Sequence, residues 1–374
     1  MDRAAPLRTR RLLSRISDDG ELHAWIEHCD VPPPGPGEIT VRLEARPIHS
    51  SDMNVMFGPA DFSRAMKSGT ADAPEIRVPL RAGAMAGQKL RVGQLIEPGM
   101  EGAGTVLDTG EGAEHLAGNR VAVWGKSTYR DIQVFSASSC LELPDDVTLE
   151  DGAAAFVNPL TALGLLETAK AEGHKALINT AAASNIGHML IRLCHEDGLA
   201  LVSVVRRPEL AAELRALGAD HVVDTSADDA DAQLVDAIGA TGARLCFDAV
   251  GGKLTGRILE CIETSARASM TQFSNYGSQD PRQCYIYGAL DPSPIEIPRT
   301  AGLFWSCQGW LLFPYLETLG PEKTAELLAR VRRGLGTTFR GQFSNRIELT
   351  DVLRLDAINT FFARGTGSKT LITG

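Results

Sequence analysis

The chain has 374 residues, enough for two domains, and its 44% hydrophobic and 22% charged residues are typical of a globular protein. A formal net charge of −10 argues against a broad nucleic-acid surface, and no apolar run is long enough to cross a bilayer. Seven cysteines, odd in number and never spaced C-x-x-C, argue against a disulfide framework or a four-cysteine zinc knot and point to a reducing compartment.

Arg3, Arg8, Arg10, Arg11 and Arg15 give the first residues a transit-peptide bias. Asp2, Asp18 and Asp19 oppose it, and Arg10–Ile16 reads as a strand, so the expected location is the cytoplasm. Residues 1–155 are strand-rich. A stiff lead-in, Pro32–Gly37, precedes the alternating run Ile39–Leu43, and short strands are expected at Gly102–Leu107 and Arg120–Trp124. Short strands among frequent glycines and prolines suggest a compact, barrel-like β domain. Residues 58–98 interrupt it with an Ala-, Gly- and Met-rich stretch, read either as a lid over the site or as a passive surface excursion.

From Leu149 the character changes. Asp151–Lys170 is expected to be helical, with Pro159 marking a break or a new helix start. Ala176–Ile178, the small residues Thr180–Asn185, the helical pattern Ile186–Cys194 and the apolar run Leu199–Val205 form a βαβ unit. Nearly unbroken apolar runs suit parallel strands buried on both faces. A helix (Glu209–Leu217), a strand (His221–Val223), a helix (Asp231–Ile238), the run Leu245–Val250 and a strand at Gln283–Leu290 continue the alternation of a doubly wound parallel sheet. Thr324–Arg333 is a basic amphipathic helix, and Lys369–Ile372 is a final strand.

The turn of the βαβ unit carries the dinucleotide fingerprint G-x-G-x-x-G in degraded form, as Ala182-x-Ser184-x-x-Gly187. Asn185 is a residue type that tolerates a left-handed backbone. Where an NAD-binding unit places a carboxylate for the ribose, this chain has Arg206 and Arg207. Two guanidinium groups suit a 2′-phosphate, hence NADPH; the alternative is that both are solvated at a strand end.

The order of these elements and several motifs resemble the medium-chain dehydrogenase/reductase superfamily. The resemblance is carried by Gly37–Arg42, Ser51-Asp52, Gly99–Gly104, Gly118–Val121, Leu143–Val147, Asn158–Ala162, Leu217–Asp220, Phe247–Gly252 and Lys369. Asn158–Ala162, Val204–Arg207, Tyr287-Gly288 and Phe304-Trp305 look most like its zinc-free 2-enoyl thioester reductase and quinone reductase branch. The implied fold is an α/β one: a Rossmann domain with a doubly wound parallel sheet (156–315), plus a GroES-like β-barrel domain formed by both chain ends (1–155 and 316–374). Zinc members place a cysteine and a histidine where this chain has His49 and Met100, so no metal is expected, and His49 reads as a hydrogen-bonded pocket or turn histidine.

The resemblance implies reduction of a carbonyl-conjugated C=C bond by hydride from NADPH. The rivals are NADPH:quinone oxidoreduction and non-catalytic NADPH binding. The substrate would be a small electrophile, the assembly a homodimer, with no nucleic acid or membrane partner. Enoyl thioester reductases carry a tyrosine shortly after the Ser-Asp turn, where Ala60 stands here. Tyr129 is then the first candidate proton or oxyanion donor, with His49, Tyr287 and water as the others. Thr161, Ala182, Ser184, Asn185 and Ile186 would line the pyrophosphate. Arg206 and Arg207 would hold the 2′-phosphate, and Asp248–Gly251, including Val250, with Tyr287 and Gly288 the nicotinamide end. Asn158, Phe304, Trp305 and Lys369 complete the implied cofactor contacts. Phe304, Trp305 and Trp310 either wall the pocket or belong to the core or a subunit interface.

Overall fold

The computed structural model describes residues 6–362 and 369–374. Its first stretch holds β1 (Arg8–Ile16), β2 (Glu21–Asp30), β3 (Glu38–Pro47), α1 (Ser50–Phe57), β4 (Met66–Gly69), β5 (Pro74–Pro79), β6 (Glu101–Thr109), β7 (Arg120–Trp124), β8 (Ile132–Ser136), β9 (Cys140–Glu142) and α2 (Leu149–Ala153). Then come α3 (Val157–Ala171), β10 (Ala176–Asn179), α4 (Asn185–Asp197), β11 (Ala200–Val205), α5 (Pro208–Ala216), β12 (His221–Asp224), α6 (Ala230–Thr241), β13 (Leu245–Asp248), α7 (Gly252–Ala268), β14 (Arg282–Ile286), β15 (Trp305–Gly309), α8 (Leu312–Leu319) and α9 (Pro321–Gly334). β16 (Asn345–Ile347), α10 (Leu355–Phe362) and β17 (Thr370–Thr373) close the chain. Two compact units result, Met1–Val157 with Val331–Gly374, and Asn158–Arg330.

The first unit is the expected β domain drawn from both chain ends. Its four-stranded sheet has the order β1-β2-β5-β4; a seven-stranded sheet runs β16-β17-β3-β6-β7-β9, with β8 also paired to β3. All pairings are antiparallel except β16 with β17. Alternation places Ile39, Val41 and Leu43 of β3 in one core, with Val106, Val121, Val123 and Phe135. Leu12, Ile16, Leu22, Ile26, Met53, Phe57 and Ile372 build the other.

Residues 58–98 are not a passive surface excursion. They supply β4 and β5, and β5 pairs in register with β2. The alternation Glu75-Ile76-Arg77-Val78 turns Ile76 and Val78 inward, where both are fully buried. Such burial contributes about 1.5–3 kcal/mol per side chain. Further along, Val92 and Ile96 bridge back to β1.

The second unit is a six-stranded sheet of order β12-β11-β10-β13-β14-β15, parallel throughout. This is the doubly wound arrangement, whose strand order reverses beside β10. Its core joins Ile178, Val202, Val204, Cys246, Ile258 and Ile262. The helical stretch expected over Asp151–Lys170 divides into α2 and α3, with Pro159 in the first turn of α3, where a missing N–H costs nothing. The second unit also extends beyond residue 315. Arg330 of α9 forms ion pairs with Glu196 and Asp197 at the end of α4, so α8 and most of α9 stay with the parallel sheet.

Candidate functional site

In the second unit the candidate site lies at the C-terminal ends of β10 and β13. The wholly buried β10 delivers the chain into a tight turn. Ala181 is the turn residue with a left-handed backbone, φ 49°; Asn185 opens α4 instead, so the left-handed position expected of Asn185 is four residues earlier. The Ala182 amide donates to Val204 O (3.1 Å), which ties the turn to β11. Ser184 caps α4, its Oγ accepting the Gly187 amide at 3.1 Å. Any Cβ on Gly187 would collide with the Ala182 carbonyl. The degraded fingerprint thus keeps glycine at the one position where backbone packs on backbone. The α4 N-terminus above it points amide N–H groups outward, as an anion-binding turn does.

A buried polar knot fastens this turn. Thr180 Oγ1 donates to Asp248 Oδ1 (2.6 Å) and accepts the Ala249 amide (2.8 Å). Asp248 also accepts from Val250 N, Gly251 N and Thr255 Oγ1. Asp248 is fully buried, so it holds the nicotinamide-end loop from beneath rather than lining it. The Tyr287 hydroxyl donates to Asn179 Oδ1 at 3.1 Å, and burial pushes its phenol far up, with Asp248 adding to the shift. Gly288 lies against Ala249, whose carbonyl leaves no room for a Cβ. Val250 and Ile186 are partly buried here, and Asn158 and Thr161 are buried on α3. Arg206 and Arg207 are exposed where β11 ends, and Arg207 precedes Pro208 as the N-cap of α5. Asn179 and Thr180 at the end of β10 and Thr255 in the first turn of α7 carry no spacing signature in the sequence, because each is a single polar residue.

Phe304 and Trp305 do not join this group. They stand at the start of β15, the outermost strand, at the opposite end of the parallel strands from the crevice, and are 53% and 38% exposed. Trp310 packs inward, its ring on Tyr315 and its Nε1 donating to Thr168 Oγ1.

The first unit holds a second polar cluster around the start of α1. The Asp52 carboxylate accepts the His49 amide (3.1 Å) and the Tyr129 hydroxyl (2.9 Å); Pro47 O, 3.1 Å away, is the alternative acceptor for that proton. Burial is the main cause that lifts Asp52 above the usual carboxylate range and Tyr129 well above the usual phenol range. Tyr129 is 1% exposed, so its hydroxyl is committed inside the protein, a role the sequence did not suggest. Glu101 is equally buried. One oxygen meets His49 Nε2 at 2.7 Å, and the other accepts the amides of Phe156 (2.8 Å) and Val157 (3.0 Å). With two backbone amides on its second oxygen, an ionised Glu101 accepts at both oxygens, the arrangement in which His49 Nε2 would be the donor of the 2.7 Å contact. Lys369 lies beside Glu101; burial pulls its ammonium down to about 8 while Glu101 acts in the opposite sense. Ala60, where the resemblance would place a tyrosine, is 1% exposed in the core. Met100 intervenes before Glu101, and no three His, Cys, Asp or Glu among the described residues are arranged to hold a metal ion.

Comparison with known proteins agrees with this architecture. The family model described as zinc-binding dehydrogenase matches residues 185–288, within the parallel-sheet unit and apart from His49 and Glu101. The mitochondrial enoyl-[acyl-carrier-protein] reductase of Xenopus tropicalis is 26% identical over 291 residues, 75% of this chain and 69% of that one. Quinone oxidoreductase 1 of Escherichia coli is 29% identical over 182 residues, 47% of this chain and 55% of that one. Among solved structures, the Etr1p complex with NADP and crotonyl-CoA superposes with a TM-score of 0.69 at 19% identity, covering 98% of this chain and 100% of that one. These likenesses fit the medium-chain dehydrogenase/reductase superfamily. Where the resemblance implies a zinc-ligand histidine and a tyrosine, this chain has Met100 and Ala60.

Proposed function

We propose that the chain is an NADPH-dependent reductase of C=C bonds conjugated to a carbonyl, working without a metal ion. The observation that carries this reading is the turn from Thr180 to Gly187, closed by the Thr180–Asp248 bond and opening onto the α4 N-terminus, with two arginines where β11 ends. These residues fit a phosphorylated dinucleotide. The α4 amides and Ser184 would take the pyrophosphate, with Ala182, Asn185, Ile186, Asn158 and Thr161 around it. Arg206 and Arg207 would take the 2′-phosphate, and Val250, Tyr287 and Gly288 would bound the nicotinamide. When bound, the dinucleotide supplies a hydride.

The acceptor's β-carbon gains that hydride, negative charge develops on its carbonyl oxygen, and a proton is added at the α-carbon. His49, with its Nε2 proton held on Glu101, is the candidate proton holder of the first unit, and Tyr129 fixes Asp52 at the start of α1. The enoyl-type relatives and the crotonyl-CoA complex support this substrate class.

Quinone reduction is the second reading. Ala60 favours it, because a buried alanine offers no proton where enoyl thioester reductases carry tyrosine. Monitoring NADPH absorbance with enones, enoyl thioesters and quinones separates the two. Turnover of conjugated alkenes is expected; quinone turnover alone would transfer the case to the second reading, and NADPH binding without any turnover to a non-catalytic role.

The assembly is a homodimer in this proposal. β15 is an unpaired sheet edge flanked by exposed Leu303, Phe304, Trp305, Leu311 and Phe313, an apolar margin that suits a second copy. No helix of the described residues is long and apolar enough to cross a membrane. The free, scattered cysteines support a reducing compartment, the cytoplasm in this proposal.

A further inference from the structure

Asn179 ends β10 and is fully buried, a polar side chain after the apolar run Ala176–Ile178. Its Oδ1 accepts the Tyr287 hydroxyl at 3.1 Å, and its Nδ2 has no hydrogen-bond partner among the described residues. Half of a buried amide left unpaired is unfavourable, so an apolar residue would close this strand end at a lower free-energy cost. What the amide adds is one oxygen for Tyr287.

The two residues meet across a third strand. In the register of the parallel sheet Asn179 stands beside Phe247 of β13, and Phe247 beside Tyr285 of β14, two residues before Tyr287. The bond therefore spans the C-terminal end of β13, from which the Asp248–Gly251 loop departs. Ligands of doubly wound sheets bind outside these carboxyl ends. The backbone of Tyr287 is anchored separately, its amide donating to Asp248 O at 2.9 Å. Asn179 thus holds the far end of a side chain whose near end is already fixed.

We propose that Asn179 is a positioning residue for the nicotinamide half of the dinucleotide: its Oδ1 holds the Tyr287 hydroxyl, and with it the ring, in one rotamer at the crevice. This rests on the NADPH reading above, in which Tyr287 bounds the nicotinamide. A side chain ordered before the ligand arrives lowers the ordering cost of binding. The phosphates are assigned there to the turn before α4 and to the arginine pair, so the contribution of Asn179 falls on the nicotinamide half alone.

The test compares two ligands, NADPH and 2′-phospho-ADP-ribose, which carries the same phosphates without the nicotinamide. Both are titrated by calorimetry on wild type, Asn179→Ala, Tyr287→Phe and the double variant. Each single variant is expected to weaken NADPH about fivefold, the worth of one neutral hydrogen bond, and to leave 2′-phospho-ADP-ribose unchanged. The double variant should bind NADPH no more weakly than either single one, because both substitutions delete the same bond. A circular-dichroism melt checks that each variant folds, and Tyr287→Phe, which removes one oxygen, carries the comparison if Asn179→Ala does not. Equal losses for both ligands would show that Asn179 only stiffens the strand end, and additive losses that it acts apart from Tyr287. Either result, or unchanged NADPH affinity, would overturn the proposal. Failure of wild type to bind NADPH would instead overturn the reductase reading on which the proposal stands.

Discussion

Thr180 Oγ1 and Asp248 Oδ1 lie 2.6 Å apart, and through this one buried bond the end of β10 is fastened to the end of β13. Asp248 also gathers two amides and the Thr255 hydroxyl, so the loop that would carry the nicotinamide end hangs on a single carboxylate. Thr180→Val keeps the shape and deletes a donor to a buried carboxylate and an acceptor for the Ala249 amide. It is expected to cost about 1.5–3 kcal/mol, read by urea denaturation, and to weaken NADPH binding. Unchanged stability would show that the knot is dispensable.

Gly187→Ala tests the one glycine the degraded fingerprint retains. Its Cβ would run into the Ala182 carbonyl, which belongs to the turn itself. Relief requires moving the turn away from α4, so NADPH affinity should drop by at least tenfold with a lowered Tm. Normal binding would show that the turn tolerates a wider gap.

Arg206→Ala is expected to lower NADP(H) affinity selectively and leave NAD(H) little changed, since only the former carries the 2′-phosphate. Equal loss for both cofactors, measured by titration, would refute the phosphate assignment.

Lys369 also leaves a mark on folding stability. Its folded-state pKa of about 8 lies below the ordinary 10.5, so between these values the unfolded chain binds more protons than the folded one. Stability attributable to this group therefore rises with pH from about 8 to 10.5 and is lowest below 8. Lys369→Met should remove that rise. A wild-type minus variant difference that is flat with pH would contradict the burial of the ammonium.

Ala60→Tyr would restore the residue type found in enoyl thioester reductases, yet the position is packed among Phe57, Phe62 and Leu80. Overfilling such a site costs about 1–3 kcal/mol. The variant is expected to lose stability in denaturant melts without gaining enoyl thioester turnover; a gain in turnover would show that the position opens toward the substrate.

The alternating β–α pattern, the strand positions Arg120–Trp124 and Arg10–Ile16, the helix restart at Pro159 and the turn before α4 were legible because each rests on local periodicity or on a residue with a fixed backbone preference. The short alternation in Glu75–Val78 was present in the same letters, but the small residues around it hid a strand that matters only once β2 is beside it. Phe304 and Trp305 were misplaced for a related reason: an aromatic pair says that surface will be covered, and only the strand order says at which end of the sheet.

By itself the sequence determined the two kinds of element, the dinucleotide-type turn and the arginine pair, all properties of neighbouring residues. Only the tertiary structure decided that Thr180 meets Asp248, that Glu101 joins His49 and lies beside Lys369, and that Tyr129 is shut inside against Asp52. Those partners stand between 52 and 268 positions apart along the chain, and no local preference encodes a hydrogen bond across such a separation. Burial then favours the neutral forms of Asp52, Tyr129 and Lys369, because removing water from a charged group disfavours its charge.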